Sequence, residues 1–433
     1  MRETTYETDH EMKDVALLVS VVTPQMKRSA ISPEHSMAEL ERLAETAGVH
    51  VVLTVTQNRD TPDTKWFIGK GKVEEMREIA DSFDITTVIF DQELSGAQVR
   101  NLEEALDKKI IDRTQLILDI FAQRARTREG IIQVELAQLS YLLPRLSGHG
   151  KNLSRLGGGI GTRGPGESKL EMDRRHIRDR ISDLKLALAE VVRHRELHRE
   201  RRRKSGVVQV ALVGYTNAGK STLMRQLTQA DVFIENQLFA TLDPTSRALA
   251  LPNGREVVLT DTVGFIQNLP TTLVAAFRAT LEEVNEADLI LHVVDSSSPV
   301  REEQMSVVQQ ILGELKASDK PQLLVYNKKD LCEAEQRERV PADDDTLWIS
   351  AFDEADLTEL QGRIQERLTG QTVTFEFPAA SGDMISLAYR VGEVIEQQLV
   401  DDRIRLTVEV DKQGYEQYGY KLEPYIVSST SVS

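Results

Sequence analysis

The chain has 433 residues, more than one ordinary domain needs, so we expect about two to four units that each bury their own core. Hydrophobic residues make up 40% and charged residues 28% of the sequence, which excludes a wholly disordered or fibrous protein. The net charge of -16 argues against a protein that coats nucleic acid over its whole surface, but it does not exclude a local basic surface.

The cysteine content and the apolar runs indicate where the protein works. Cys332 is the only cysteine, so no intrachain disulfide can form and a cysteine-rich zinc site is excluded. The longest apolar run near the start, Val15–Val22, is too short to span a bilayer and lacks the flanks of a signal peptide. We therefore expect a cytoplasmic protein, monomeric and without stable membrane association.

The first predicted unit, residues 1–145, alternates short β-branched runs with helical patterns. The runs lie at 15–22, 51–55 and 86–90, and the helical patterns lie at 37–47, 72–82 and 95–106. This alternation predicts a small α/β domain with a parallel sheet. Two further helical patterns follow at 116–125 and 134–143, and the second is expected to break at Pro144.

The second predicted unit, residues 146–206, begins with a glycine-rich segment at 157–166. Residues 167–204 then contain few helix breakers and carry apolar residues at helical spacing, which predicts a long helix or a helical hairpin. The glycine-rich segment contains a formal G-x-G-x-x-G pattern. No convincing strand precedes it, so it indicates a linker or an RNA-contacting loop better than a dinucleotide site.

The rest of the chain divides into two more predicted α/β units, residues 207–370 and 371–433. The first opens with an apolar strand at 207–213. The second shows a strand pattern at 372–377, a helical pattern at 382–399 and a strand pattern at 404–410. We expect the Ser/Thr-rich last residues to form a frayed tail.

The segment after the strand at 207–213 matches the phosphate-binding pattern G-x-x-x-x-G-K-[ST]. It consists of Gly214, Tyr215, Thr216, Asn217, Ala218, Gly219, Lys220 and Ser221. Its glycines let backbone N–H groups face phosphates at a helix N-terminus, where the helix dipole favours negative charge. We predict that Lys220 contacts the β- and γ-phosphates and that the Ser221 hydroxyl binds Mg²⁺.

A phosphate loop does not distinguish ATP from GTP, so the base-reading segment decides. The segment after the strand at 323–326 has the N-K-x-D form and consists of Asn327, Lys328, Lys329 and Asp330. Asp330 can accept the two parallel N–H donors of guanine, whereas adenine would leave its carboxylate unpaired. Asn327 is expected to brace the loops and Lys328 to cover the base. The segment expected to support the guanine ring consists of Ser350, Ala351 and Phe352.

Two segments between these motifs have the form of GTPase switches. The first, switch I, consists of Phe239, Ala240, Thr241, Leu242 and Asp243. The second, switch II, has the D-x-x-G form and begins with Asp261, Thr262, Val263 and Gly264. We expect Thr241, or alternatively Thr245, to complete Mg²⁺ coordination, Asp261 to hold the magnesium shell and the Gly264 N–H to meet the γ-phosphate. The motif order predicts a Ras-like P-loop G domain that hydrolyses GTP to GDP, with Lys220, Thr241 and Gly264 as catalytic residues.

Phe265 departs from the pattern of many small GTPases, which place there the glutamine that orients the attacking water. Phenylalanine cannot do this, so we expect slow intrinsic hydrolysis that a partner accelerates. Arg247 and Arg278 are candidate internal helpers, with surface salt bridges as the alternative role for each.

These motifs, together with GGGIGTRGPGESKLEMDRR at 157–175, IDRT at 111–114 and FAQRA at 121–125, resemble the HflX-type GTPases. The resemblance covers most of the chain and weakens in the C-terminal unit. It implies an N-terminal α/β domain with a helical extension, followed by the G domain. It also implies binding to the large ribosomal subunit near its peptidyl-transferase region, with splitting or rescue of stalled ribosomes under stress. The hydrophobic residue at Phe265 agrees with that family.

Clustered basic residues are the sequence evidence for an RNA partner. They are Arg124, Arg126, Arg128, Arg145, Lys151, Arg155, Arg163, Arg174, Arg175, Arg178 and Arg180, with a second cluster at 193–204. They could contact rRNA phosphates, or they could pair with interleaved glutamates on a solvated helix.

Two other functions stay open at this point. One is a nucleotide-dependent, helicase-like RNA-remodelling factor in which the G domain is regulatory. ATP-dependent unwinding retained in a Lys220→Ala variant would favour it. The other is a membrane-associated regulatory protein, which the absence of a lipidation motif disfavours.

Overall fold

The computed structural model describes most of the chain, and three sheets organise it. The described residues are 14–28, 31–146, 169–204, 207–229, 238–239, 241–242, 244–267, 283–333, 344–368, 372–400, 402–410 and 418–430. No helix among them combines the length and hydrophobicity needed to cross a membrane.

The first sheet is fully parallel, with the strand order β2-β1-β3-β4. Its strands are β1 (Val15–Val22), β2 (His50–Asn58), β3 (Thr87–Phe90) and β4 (Lys109–Asp112). The helices beside it are α1 (Pro24–Lys27), α2 (Pro33–Thr46), α3 (Lys70–Ser82) and α4 (Gly96–Leu106). The central strand β1 is almost continuously apolar because helices cover both faces of a parallel sheet. The predicted α/β fold is confirmed, and α1 and β4 are additions to the predicted elements.

Three helices follow the first sheet among the residues described up to 204: α5 (Arg113–Arg124), α6 (Arg128–Arg145) and α7 (Lys169–Lys204). Helix α6 includes Pro144 in its last turn and ends at Arg145, so it runs two residues past the predicted end at 143. Of the two predicted alternatives for 167–204, the structure has one long helix. Helix α7 packs on α6 through an apolar stripe in which Ile132, Leu136 and Leu184 are buried.

The second sheet has six strands in the order β10-β9-β8-β5-β7-β6, and all are parallel except β6. The strands are β5 (Gln209–Val213), β6 (Thr245–Ala250), β7 (Glu256–Asp261), β8 (Leu289–Asp295), β9 (Gln322–Asn327) and β10 (Thr346–Trp348). The helices are α8 (Lys220–Thr228), α9 (Arg301–Glu314) and α10 (Glu354–Leu368). Because parallel strands end at one edge, the predicted motifs after β5, β7 and β9 meet there.

The third sheet is antiparallel, with the order β12-β13-β11-β14. Its elements are β11 (Thr372–Pro378), α11 (Gly382–Val391), β12 (Gly392–Val400), β13 (Arg403–Val410) and β14 (Ile426–Thr430). Two predictions are wrong here. The predicted helix at 382–399 ends at Val391, because β12 instead forms an antiparallel pair with β13. The expected frayed tail contains β14, because its backbone pairs with β11, while 431–433 lie outside the described residues.

One hydrophobic cluster joins the first sheet's helices to the second sheet's loops. It contains Leu116 and Phe121 of α5 together with Phe239 and Phe265 of the two predicted switch segments. The rings of Phe121 and Phe239 meet edge to face, with centroids 4.6 Å apart. The N-terminal α/β unit therefore contacts the segments predicted to change with the bound nucleotide.

Candidate nucleotide site

The predicted phosphate loop, Gly214 to Ser221, connects β5 to the N-terminus of α8. Gly219 has a φ of +93°, in the left-handed region that favours glycine. A Cβ at Gly219 would lie 2.3 Å from Nδ2 of Asn327, so the close approach of these two loops also requires glycine. The Lys220 ammonium donates to the carbonyl oxygens of Gly214 (3.1 Å) and Tyr215 (2.9 Å), which places it beside the loop backbone.

Oxygen atoms from three predicted motifs meet beside this loop. Ser221 Oγ lies 2.7 Å from Asp261 Oδ2 and 2.8 Å from Thr241 Oγ1, and Thr241 Oγ1 lies 2.8 Å from Asp261 Oδ2. The second oxygen of Asp261 is buried and has no hydrogen-bond partner among the described residues. Thr245, the alternative to Thr241, is the first residue of β6 and pairs with Asp261 along the sheet.

The two charged groups of this region are both buried. Burial lowers the pKa of the Lys220 ammonium to about 8, and the Asp261 carboxylate opposes that shift. Burial also raises the pKa of Asp261, while Lys220 and the hydroxyls of Ser221 and Thr241 oppose that change. Each charge therefore reduces the cost of burying the other, and a bound polyphosphate would stabilise the protonated lysine further.

The predicted switch II segment lies directly against the phosphate loop. The backbone N–H of Thr216 donates to the carbonyl oxygen of Phe265 (2.7 Å), and the N–H of Phe265 donates to that of Gly214 (3.1 Å). A Cβ at Gly264 would lie 2.9 Å from Thr216 Cγ2 and 3.1 Å from Lys220 Nζ. A glycine is thus required where switch II, the phosphate loop and the lysine converge.

Asn327 connects three loops at the edge of the sheet. Its Nδ2 donates to the carbonyl oxygen of Ala218 (3.0 Å), and its Oδ1 accepts the backbone N–H of Ala351 (3.1 Å). Its own carbonyl oxygen accepts from Ser296. These contacts are those expected of a residue that braces the phosphate loop against the base-binding segments.

The other residues of the N-K-x-D segment differ in their contacts and exposure. Lys328, with a left-handed φ of 63°, donates to Asp295 Oδ2 at 2.6 Å. Lys329 pairs with Asp356, which also accepts the backbone N–H of Ser350 at 2.7 Å. Asp330 is exposed to solvent, as a group that reads an incoming base should be.

Several residues in the predicted binding segments turn their side chains away from the phosphate loop. The Thr262 hydroxyl donates to the carbonyl oxygen of Leu212, and Val263, Phe239 and Leu242 belong to the hydrophobic cluster. The Phe352 side chain is 75% exposed, whereas Ser350 and Ala351 are buried. Ala240 and Asp243 lie outside the described residues.

Among the described residues, neither Phe265 nor Arg247 supplies a catalytic group to the site. The Phe265 side chain is only 1% exposed and belongs to the hydrophobic cluster shared with α5. The Arg247 guanidinium, on exposed β6, donates to the carbonyl oxygen of Ser246. Arg278 lies outside the described residues.

Sequence reasoning missed four polar residues that support the site. Asp295 and Asp356 hold the two lysines of the N-K-x-D segment, and Glu39 and Arg113 approach the phosphate loop from α2 and α5. The position of Asp295, at the end of an apolar strand beside the motif strands, was a usable signal. Glu39 and Asp356 occur where nothing local distinguishes them from ordinary surface charges, and Arg113, although part of the IDRT segment at 111–114, was not connected with the nucleotide site.

Comparisons with known proteins agree with this architecture. Residues 34–122 match the family model described as GTP-binding GTPase N-terminal, and residues 124–202 match GTP-binding GTPase Middle Region. Residues 209–328 match the model described as 50S ribosome-binding GTPase.

The chain is also similar to curated proteins over most of its length. It is 49% identical to GTPase HflX of Caldanaerobacter subterraneus subsp. tengcongensis, over 92% of this chain and 91% of that protein. It is 44% identical to GTPase HflX of Escherichia coli strain K12, over 84% of this chain and 87% of that protein. A solved GTP-binding protein from Sulfolobus solfataricus in complex with GDP aligns with 81% of this chain and 98% of its own, at 24% identity and a TM-score of 0.44.

Proposed function

The chain belongs to the HflX family of GTPases, and from that premise we propose a GTP-driven switch that binds the large ribosomal subunit and its rRNA and splits or rescues stalled ribosomes under stress. One observation supports the proposed switching in particular. The oxygens of Ser221, Thr241 and Asp261 come from three separate segments, yet lie 2.7 or 2.8 Å apart. A γ-phosphate would hold these segments together, and its loss would release them.

The three oxygens have the chemistry of a magnesium site. Mg²⁺ prefers hard oxygen ligands and keeps several waters. Ser221 and Thr241 would bind the ion directly, and the buried Asp261 carboxylate, whose Oδ1 has no partner among the described residues, would accept hydrogen bonds from its waters. Bound there, Mg²⁺ would neutralise charge on the β- and γ-phosphates.

The residues beside this site have the groups that hydrolysis needs, apart from one that positions water. Lys220 would hold the β- and γ-phosphates, and the Gly264 N–H would donate to the γ-phosphate. Water attacks the γ-phosphorus, the bond to the β-phosphate oxygen breaks, and GDP leaves. Because the Phe265 side chain is apolar and buried, we propose that the ribosome completes the positioning of this water and so stimulates hydrolysis.

Guanine specificity is proposed to come from Asp330, with the other segments as its support. The exposed carboxylate can accept two N–H groups from guanine, a pair that adenine lacks. Asn327 would hold the phosphate loop and the Ser350–Ala351 segment in place around the base.

The pair of helices α6 and α7 is proposed to contact rRNA phosphates. Some of its cations serve internal contacts: Arg145 pairs with Glu93, Arg180 with Glu135 and Arg195 with Glu129. Others, such as Arg178 and Lys185, are exposed on α7, where phosphate contacts would be electrostatically favourable. This surface would bind RNA although the chain as a whole is acidic.

The same proposal includes the protein's organisation in the cell. We propose a cytoplasmic monomer, since ribosomes are the partner, divided into units at 1–145, 146–206, 207–370 and 371–433.

Sedimentation of ribosomes with the purified protein tests the proposal. Intact ribosomes and separated subunits are incubated with GTP, GDP or a non-hydrolysable GTP analogue, and both co-migration and subunit dissociation are measured. We expect the analogue-bound protein to co-migrate with large subunits and GDP to weaken that association at least tenfold. A Lys220→Ala variant is the control, because its loss of phosphate contacts should abolish the nucleotide effect.

The outcomes separate the parts of the proposal. If the analogue-bound protein does not co-migrate with large subunits, the proposed ribosomal function is wrong. The proposal that the protein hydrolyses GTP would still stand. If Lys220→Ala still dissociates RNA structures with ATP, the RNA-remodelling alternative replaces the GTP switch.

A further inference from the structure

The Tyr215 side chain leaves the phosphate loop and bridges two parts of the molecule. Its hydroxyl accepts the backbone N–H of Gln267, in switch II, at 2.9 Å. The same hydroxyl donates to Glu39 Oε1, on α2 of the N-terminal unit, at 2.5 Å. Burial, followed by the Glu39 charge, raises the pKa of the Tyr215 phenol well above its usual value, so the hydroxyl keeps the proton that it donates.

Glu39 is held from behind by a buried network. Its other carboxylate oxygen pairs with Arg113, whose guanidinium also donates to Asp91 Oδ1 at 2.9 Å. Asp91 accepts the Ser36 hydroxyl at 2.8 Å. The side chains of Arg113 and Asp91 are only 3% and 2% exposed. The Arg113 guanidinium bonds both carboxylates through its two terminal nitrogens, although its Nε has no partner among the described residues, and these buried charge pairs hold Glu39 in position.

Tyr215 is equally well connected on the nucleotide side. Its carbonyl oxygen accepts from Lys220 Nζ at 2.9 Å, and its backbone forms a parallel bridge with Phe265. The position of Glu39 is therefore transmitted through one side chain to the phosphate loop, the catalytic lysine and switch II.

Switch I contacts the same two helices of the N-terminal unit. The backbone N–H of Leu238, the residue just before switch I, donates to Thr46 Oγ1 on α2 at 3.3 Å, and Phe239 of switch I packs against Phe121 on α5. In this docked arrangement Thr241 lies 2.8 Å from Asp261. The conformation in which the N-terminal unit contacts both switches is thus one in which the proposed magnesium ligands are together.

We propose that Glu39 is a positioning residue for GTP hydrolysis, acting through the Tyr215 hydroxyl on the backbone of switch II at Gln267. The proposal rests on the site assignment made above, but not on ribosome binding. With an apolar residue at position 265, the backbone of switch II has to be placed accurately relative to the γ-phosphate, and the Glu39–Tyr215–Gln267 connection does this. Its loss lowers the rate of hydrolysis and leaves nucleotide affinity nearly unchanged, because the Tyr215 hydroxyl and the Glu39 carboxylate bond each other, the Gln267 N–H and the Arg113 guanidinium, and neither group is predicted to bind phosphate.

Tyr215→Phe is the sharpest test, because it removes one oxygen and leaves Glu39 paired with Arg113. Single-turnover GTP hydrolysis is measured on the full chain without ribosomes, beside titrations with GDP and a non-hydrolysable GTP analogue. We expect hydrolysis to slow about tenfold, the rate equivalent of one lost hydrogen bond, with both dissociation constants within about twofold of the parent protein's.

Tyr141→Phe is the matched control. Like Tyr215, Tyr141 is a buried tyrosine, but it lies in the N-terminal unit, where its hydroxyl bonds the Asp112 carboxylate. Its ring lies against Arg145 of the same helix. This variant should hydrolyse GTP at the parent rate. If the substitutions instead destabilise the N-terminal unit in general, hydrolysis should slow in both variants.

The double variant Glu39→Gln/Tyr215→Phe completes the test. If the two residues act through one contact, the double variant is no slower than the slower single variant. The proposal is overturned if Tyr215→Phe hydrolyses GTP at or above the parent rate, if Tyr141→Phe is equally slow, or if the single effects multiply. Equal weakening of GTP and GDP binding would also overturn it, by showing that Tyr215 only supports the phosphate loop. If the parent protein itself binds no guanine nucleotide, the assignment of the nucleotide site is refuted instead.

Discussion

Asn327→Ala is the substitution whose effect follows most directly from the geometry of the site. It removes the buried hydrogen bonds to the Ala218 carbonyl (3.0 Å) and the Ala351 N–H (3.1 Å). Each of the two backbone groups left without a partner costs about 1–3 kcal/mol, so the loss is about 2–6 kcal/mol in total. Both loops are braced before nucleotide binds, so this cost divides between folding and binding.

We expect the free energy of unfolding to fall by about 2 kcal/mol in urea titrations. We also expect GDP and a non-hydrolysable GTP analogue to bind about tenfold to thirtyfold more weakly, measured by fluorescence titration. Both nucleotides should be affected equally, because the braced loops are expected to contact the β-phosphate and the base, and GDP and the GTP analogue have both of these groups. Asn253→Ala is the control, since it removes a side-chain hydrogen bond to the Arg255 N–H in a turn remote from these loops. Affinities within threefold of the parent, or a change for one nucleotide only, would refute this reasoning.

Three other substitutions have expected outcomes. Gly219→Ala, at a φ of +93° with Asn327 Nδ2 only 2.3 Å from the new Cβ, should weaken both nucleotides at least a hundredfold by titration; measurable binding near the parent affinity would contradict this. Gly264→Ala, whose Cβ would lie 2.9 Å from Thr216 Cγ2, should weaken the GTP analogue at least tenfold more than GDP, and equal weakening would count against the γ-phosphate contact. Burial lowers the pKa of His292 from 6.5 to about 4, so the unfolded chain takes up the proton first as pH falls and stability is lost below about pH 6.5. Between pH 7 and 4.5, the free energy of unfolding of His292→Leu, measured by urea titration, should therefore fall by about 2 kcal/mol less than that of the parent. If both proteins lose the same stability over this range, the histidine is not the cause.

The parts of the fold that the sequence predicted well have short-range signals. The phosphate loop and the N-K-x-D segment each follow an apolar strand, and their residue types are dictated by backbone approach and base chemistry. Because parallel strands end at one edge, their meeting at one site followed from the predicted topology.

The parts that were missed depend on partners distant in sequence. Glu39 and Tyr215 are 176 residues apart, and nothing near Glu39 distinguishes it from a surface glutamate of α2. The segment that became β12 has apolar residues at spacings compatible with a helix, and only its pairing with β13 makes it a strand. In the same way, the Ser/Thr-rich end became β14 because β11 offers an open edge.

The burial of Phe265 in the hydrophobic cluster shared with α5 could not be predicted from the sequence either. Its identity showed that no glutamine could orient the water, but not that the ring would lie 1% exposed beside α5 residues. That placement makes the N-terminal unit part of the environment of switch II.

Ribosome splitting by an Asp330→Asn variant with xanthine nucleotides tests the central proposal most directly. Asparagine presents an N–H donor where the carboxylate accepted, so it should favour xanthine, which carries an oxygen acceptor there, over guanine. The variant is incubated with intact ribosomes and non-hydrolysable analogues of XTP or GTP, and large-subunit association is followed by sedimentation. We predict association and subunit dissociation with the XTP analogue, and neither with the GTP analogue at concentrations that saturate the parent protein. Association that is equal with both analogues, or that occurs without nucleotide, would contradict a ribosome-binding switch controlled by the base that Asp330 reads.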